Sequence, residues 1–301
     1  MKINEEFLQE FEKGLDPLDP ERSKIPAKII GYGEISSIFR IEGYSKWIYK
    51  RMPLFETKEQ AVAYDKNYKL YTEYLKSAGL NLPKDFSKIT KSRKYVLYLG
   101  QEEFIKSNLC HNRLHTQSKQ ENIDMLNNIF VEIKKVYQFN QQNNSKIELS
   151  IDGQVSNWSF VENKLFYFDT STPLFKIDGT EQMNPELLLN STPKILRWLI
   201  RSFFLQDVMD RYYDLHLVYL DLIANLYKEQ KAELIDAVLE KSNYLLPKGI
   251  GRITRKEVDK YYREDKFIWQ LFLGLRRMDR WVSRYVLGRQ YEFILPGKIR
   301  R

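Results

Sequence analysis

An aspartate, an asparagine five positions later and a second aspartate twelve beyond that constrain this chain more than any other pattern in it. They are Asp152, Asn157 and Asp169, and the last closes the apolar run Leu165-Phe166-Tyr167-Phe168. Phosphoryl transfer from a metal–nucleotide complex needs these groups. One carboxylate orients or deprotonates the attacking hydroxyl, while an amide and a second carboxylate hold a divalent metal against the phosphates. D-x-x-x-x-N alone recurs by chance. A strand-terminal Asp at this distance gives it weight. Strands are predicted over Ile147–Ile151 and Leu165–Phe168, with a loop and a short linker between them.

Upstream, Gly31, Gly33, Ser36 and Ile38 spell G-x-G-x-x-S-x-I, and Trp47-Ile48-Tyr49-Lys50 follows. This reads as two strands joined by a tight turn whose glycines let backbone N–H groups approach phosphate oxygens. A lysine on the next strand adds a point charge to those phosphates. Hairpin turns use glycine routinely, so Gly31 and Gly33 also fit an ordinary hairpin. Lys50 taken alone also fits a solvated strand lysine.

Glycine turn, strand lysine, helix, apolar strand, helices, D-x-x-x-x-N and strand Asp follow one another in a fixed order. In that order the chain resembles the protein-kinase-like superfamily, and most closely its aminoglycoside phosphotransferase and choline kinase branch. Residues 28–170 carry the resemblance. It implies an α+β, two-lobed fold: a 1–26 helix and loop, a small β-rich lobe over 27–100 and a helical lobe over 101–301. It implies ATP and Mg2+ as cofactors and a hydroxyl-bearing small molecule as acceptor. Gly31, Gly33, Ser36 and Lys50 would bind the nucleotide phosphates. Asp152 would be the catalytic base, with Asn157 and Asp169 as metal ligands. Gly100-Gln101-Glu102 looks like the hinge where backbone groups read adenine. The helix after Lys50 would present an acid to it, and Glu59, Asp65 and Glu73 are the three candidates, Asp65 lying nearest the expected depth.

Several positions depart from the family pattern. Ser150 stands where the family has His two residues before the catalytic Asp, and Thr170-Ser171 replaces the Phe-Gly of protein kinases. The third loop glycine is Ser36, and Pro173 comes four residues after Asp169 with no Ala-Pro-Glu following. The missing segment argues against protein-kinase activity. A nucleotide-binding but inactive module is the alternative reading.

Charge is informative once located. The net charge is +8, and Gly249–Arg301 alone holds fourteen Lys and Arg against six Asp and Glu. Residues 1–248 are therefore neutral overall. The basic segment interleaves Arg252, Arg255, Arg263, Arg276, Arg277, Arg280 and Arg284 with Tyr261, Tyr262, Trp269, Trp281 and Tyr285. That mixture suits nucleic acid, an anionic lipid surface or the attraction of an anionic acceptor to a neighbouring cleft. It equally suits a solvated helix face over aromatic anchors.

A single cysteine, Cys110, excludes an internal disulfide and fits a small buried apolar residue. The N-terminus lacks the order of a signal peptide and no apolar run reaches membrane-span length, so a cytoplasmic protein is expected. His111 and His115 are four apart, but no third His or Cys pair supports zinc. G-x-S-x-G and the Walker motif are absent.

Helices are expected over 4–13, with Phe7, Leu8 and Phe11 on one face, and from Thr57 to about Ser77, opened by a capping box and stopped at Ala78-Gly79. Others are expected over 122–140, 184–190, 193–213, 215–244 and 255–287. Arg197, Arg201, Asp207, Asp210, Arg211 and Asp214 are either cleft-facing residues or ordinary helix-surface ion pairs.

Overall fold

Alternate residues of one strand, β3 (Trp47–Phe55), face two different helices. A computed structural model describes residues 5–17, 19–32, 36–44, 46–144, 146–183 and 210–286. The architecture is α+β. Five antiparallel strands run in the order β1-β2-β3-β5-β4, with β1 at Ala27–Tyr32, β2 at Ser37–Ile41, β4 at Asp85–Lys91 and β5 at Tyr95–Glu102. In β3 and β5 the register sets Tyr49 against Gly100 and Arg51 against Tyr98, then Ile48 against Gln101 and Lys50 against Leu99. Side chains alternate with period two, so these pairs belong to opposite faces.

The back face carries Phe39, Tyr49, Val96 and Tyr98, which pack on Leu8 and Phe11 of α1 (Glu5–Gly14). Each of those two α1 anchors contributes about 1.5–3 kcal/mol of burial. The front face carries Met52, Phe55, Leu97 and Leu99 and takes Ala61, Tyr64 and Tyr68 of α2 (Lys58–Ser77). Thr57 and Gln60 close the capping box that opens α2. Gly79, at φ +89°, ends it as expected. Gly100 admits no side chain, because a Cβ there would lie 2.3 Å from the Phe86 ring.

The hinge expected at Gly100-Gln101-Glu102 is corrected: all three residues remain in β5, paired with Phe86, Asp85 and Trp47 of the neighbouring strands. The chain leaves the sheet at Glu103, which Arg40 of β2 grips through Nε at 2.9 Å.

The chain then passes through the four-residue helix α3 (Cys110–Arg113) into α4 (Lys119–Gln142). A Ser118–Glu121 capping box starts α4 three residues before the expected Asn122. Leu126, Ile129, Phe130 and Ile133 are fully buried in the largest core with Trp158, Phe175, Tyr219 and Ile223. Among the described residues the expected 215–244 helix is two: α5 (Leu215–Lys228) and α6 (Ile235–Leu245). The break is a Schellman turn in which Lys231 N–H reaches the Leu226 carbonyl at 2.8 Å while Gln230 takes φ +56°. Lys-Glu-Gln-Lys contains no glycine to announce it. α7 (Arg255–Trp281) packs on α5. The expected helices over 184–190 and 193–213, with Arg197, Arg201 and Asp207, fall outside the described residues apart from the last few positions.

Three short strands, β6 (Ile147–Leu149), β9 (Phe175–Ile177) and β10 (Thr180–Glu181), form a second sheet in the order β10-β9-β6. The stretch taken as a linker is half of a hairpin, β7 (Trp158–Val161) with β8 (Lys164–Tyr167). Its two-residue turn places Glu162 and Asn163 at φ +47° and +61°. A turn of that hand usually contains glycine. Glu-Asn hid it.

Candidate functional site

Lys50 is 4% exposed, so the reading of it as a solvated strand lysine is corrected. Its front-face position aims it across to the segment after β8. There Nζ donates to the Phe168 carbonyl and to Asp169 Oδ1, each at 3.1 Å. Gln101, two residues along the same face of β5, donates from Nε2 to the same Phe168 carbonyl at 3.0 Å. A buried ammonium needs a counter-charge and hydrogen-bond acceptors; Asp169 supplies the charge, and it and the Phe168 carbonyl take two of the three donors.

No acid of α2 pairs with Lys50. Asp65 instead pairs with Lys69 one turn on at 2.6 Å. What α2 sends toward the site is phenols. Tyr64 donates to the Ser171 carbonyl at 2.7 Å and Tyr71 to the Ser150 carbonyl at 2.6 Å. Burial, reinforced by the charge of Asp169, pushes both hydroxyls above the ordinary tyrosine range and keeps them donors at any physiological pH. They clamp the residues on either side of the acid–amide–acid pattern.

The loop itself is closed by short-range bonds. Asp152 Oδ1 accepts from Gln154 N–H at 3.0 Å, an Asx-type turn that orients the carboxylate. A turn of 3-10 helix over Val155–Asn157 follows. Asn157 Nδ2 donates back to the Asp152 carbonyl at 3.1 Å, and the Asn157 carbonyl accepts from Phe168 N–H at 3.1 Å. Asp152, Asn157 and Asp169 are thus joined through one hydrogen-bonded frame, and each keeps part of its surface in solvent. Below it, Asn225 of α5 accepts from Val155 N–H at 3.1 Å through Oδ1 and is almost fully buried. Gly153 lets the loop sit on the core, since a Cβ there would meet Ile133 at 2.8 Å. Asn225 was not anticipated; its signal was a lone amide inside the apolar run Leu222-Ile223-Ala224-Asn225-Leu226.

Of the remaining residues singled out in the sequence, Ser36 is buried beside β2 and Gly31 lies in β1 opposite Ile38. Gly33 falls outside the described residues. Ser150, two residues before Asp152, is buried with its N–H on the Leu174 carbonyl at 2.9 Å and its hydroxyl on the Tyr212 carbonyl. Asp210 pairs with Lys176 at 3.6 Å, Asp214 caps α5, and Arg211 lies over the Tyr261 ring at 5.5 Å. All three have structural partners. Cys110 is buried, and burial pushes its thiol up to about 12. It is no nucleophile.

Among the described residues, no group of three or more His, Cys, Asp and Glu side chains is gathered for a metal, and His111 and His115 form no such group. Nor is any helix there long and apolar enough to cross a membrane.

The matched family model, a family of unknown function designated DUF6206, spans residues 24–280. The chain belongs to that family. The matched span contains every site residue from Gly31 to Asp169, the supporting Asn225 and nearly all of α7, and it begins after α1. No curated protein matches the chain.

Proposed function

We propose that this protein is an ATP- and divalent-metal-dependent phosphotransferase of two-lobed, kinase-like fold that acts on a hydroxyl of a small molecule. The observation that carries the reading is the meeting of buried Lys50 with Asp169, 119 positions apart, on the frame that also holds Asp152 and Asn157. The strand order β1-β2-β3-β5-β4, with α2 on the face that bears Lys50, supports a nucleotide-binding small lobe. The return of the chain into β9 at Phe175, only six residues after Asp169, supports a small acceptor over a protein one.

The donor set suits Mg2+ held jointly with phosphates, since that ion takes one or two protein oxygens and fills its other positions from water and substrate. Asp169 would supply a carboxylate oxygen. Asn157 would supply its amide oxygen, because its Nδ2 is committed to the Asp152 carbonyl. Bound ATP–Mg2+ brings the transferable phosphoryl group and the cation that offsets its charge. Lys50 would exchange its bond to Asp169 for one to a phosphate oxygen. Asp152, oriented by Gln154 N–H, would take the proton of the attacking hydroxyl.

Calorimetric titration of ATP, with and without Mg2+, tests this on wild type and Asp169→Ala. The expected outcome is metal-dependent binding that the substitution weakens at least about tenfold. No binding to wild type in either condition overturns the reading. Asp152→Asn should lower turnover by about 10²–10⁴-fold while ATP affinity holds. The second reading, a nucleotide-binding module without transfer, is favoured by Ser150, whose hydroxyl is committed to the Tyr212 carbonyl. Metal-dependent binding without ADP release across a panel of hydroxyl acceptors would select it.

A further inference from the structure

The first three turns of α7 and its remainder differ in what they touch. Val258 is buried, Tyr261 and Tyr262 pack against the main core, and Asp265 pairs with Lys228 of α5 at 2.8 Å. Beyond Asp265 one row of large side chains is exposed among the described ones. Phe267 is 66% exposed and Trp281 57%, and Leu271, Met278 and Tyr285 are exposed as well. From Phe267 to Trp281 their spacing, with Gly274 filling the gap between Leu271 and Met278, steps by four and three residues along one face of α7 about 21 Å long, and a π-helical turn over Val282–Val286 follows with Tyr285. Lys266 and Arg277 are exposed along the same stretch. Residues 266–286 contain five Lys and Arg and a single acid, Asp279.

We propose that this half of α7 is an interfacial helix that docks the protein on an anionic lipid surface, a role beyond phosphoryl transfer. Apolar and aromatic side chains on one face enter the headgroup boundary while Lys and Arg meet lipid phosphates and carboxylates. Trp281 and Tyr285 suit that boundary because each combines an apolar ring with a polar tip. The helix lies on the surface and does not span it, since five cations within 21 residues exclude a span. Charge argues against a second copy as the occupant, because two such faces would bring like charges together. Nucleic acid would use the arginines and the rings but give Leu271 and Met278 nothing apolar to enter.

The full chain is sedimented with phosphatidylcholine vesicles made with and without phosphatidylserine. Wild type should partition at least about tenfold more strongly onto the anionic vesicles, and added salt should weaken that binding. Leu271→Ser with Trp281→Ser should lower it by about tenfold or more at an unchanged melting temperature, because both side chains are already exposed. Arg277→Gln should lower it about fivefold. Failure to bind anionic vesicles overturns the proposal, as does equal binding to both compositions. Dimerisation abolished by the apolar pair, without vesicle binding, would assign the face to a second copy. Oligonucleotide binding that needs Arg277 but ignores the apolar pair, again without vesicle binding, would assign it to nucleic acid.

Discussion

Lys50 and Arg51 are neighbours in one strand, both buried and both ion-paired, yet the two pairs are built differently. Arg51 faces α1, where Nε and Nη2 grip both oxygens of Glu12 at 3.0 and 2.6 Å and the Tyr98 hydroxyl completes the carboxylate's partners. Both side chains are less than a tenth exposed. Lys50 faces the other way and holds one oxygen of Asp169, whose side chain keeps a third of its surface exposed. The first pair is a closed, bidentate clamp that fastens a helix to the back of the sheet. The second is monodentate and leaves part of its carboxylate open to solvent, which is what the proposed phosphate and cation site requires.

Arg51→Met would strand a buried carboxylate and should cost about 3–5 kcal/mol in urea unfolding. Lys50→Met leaves an acid that water can reach and should cost no more than about 1 kcal/mol. Equal losses would break the distinction. The back face is also the tightly packed one, so Gly100→Ala should lose about 1–3 kcal/mol by driving Cβ into the Phe86 ring. Combining it with Phe86→Leu should recover part of that loss, and no recovery would place the strain elsewhere. On the front face Gln101 gives one hydrogen bond to Phe168 and buries an amide oxygen with no partner among the described residues. Gln101→Leu should therefore fall within about 1 kcal/mol of wild type in the same assay. Tyr64→Phe removes the bond to the Ser171 carbonyl at a comparable cost of about 0.5–1.5 kcal/mol. A larger loss would mean that the phenol organises the Asp169 segment, which a matching fall in metal-dependent ATP affinity would report.

Much of the fold was legible where its cause is local. The capping box at Thr57 and the glycine stop at Gly79 each depend on residues within a few positions, whereas the Ser118 box that starts α4 was passed over. The α5–α6 break and the β7–β8 hairpin were not legible, because Gln230, Glu162 and Asn163 take positive φ without being glycine. Only packing against the core makes that backbone cost worthwhile. At the candidate site, spacing singled out Asp152, Asn157 and Asp169, and the hydrogen bonds that join them close largely within the loop and hairpin. Asn225 was missed because a single amide on an apolar helix carries no pattern.

The sequence by itself determined which chemical groups are present and which short segments present them, since turns, caps and strand alternation are decided by neighbouring residues. Tertiary structure alone decided that Lys50 meets Asp169 and none of Glu59, Asp65 and Glu73. The physical reason is that a buried ammonium takes whichever carboxylate the docking of sheet on loop brings within hydrogen-bond reach. That docking is supported by the largest core, where Tyr71, Leu75 and Leu80 pack with Leu149, Ile151, Tyr167 and Phe175, contacts distant in sequence that no local pattern encodes.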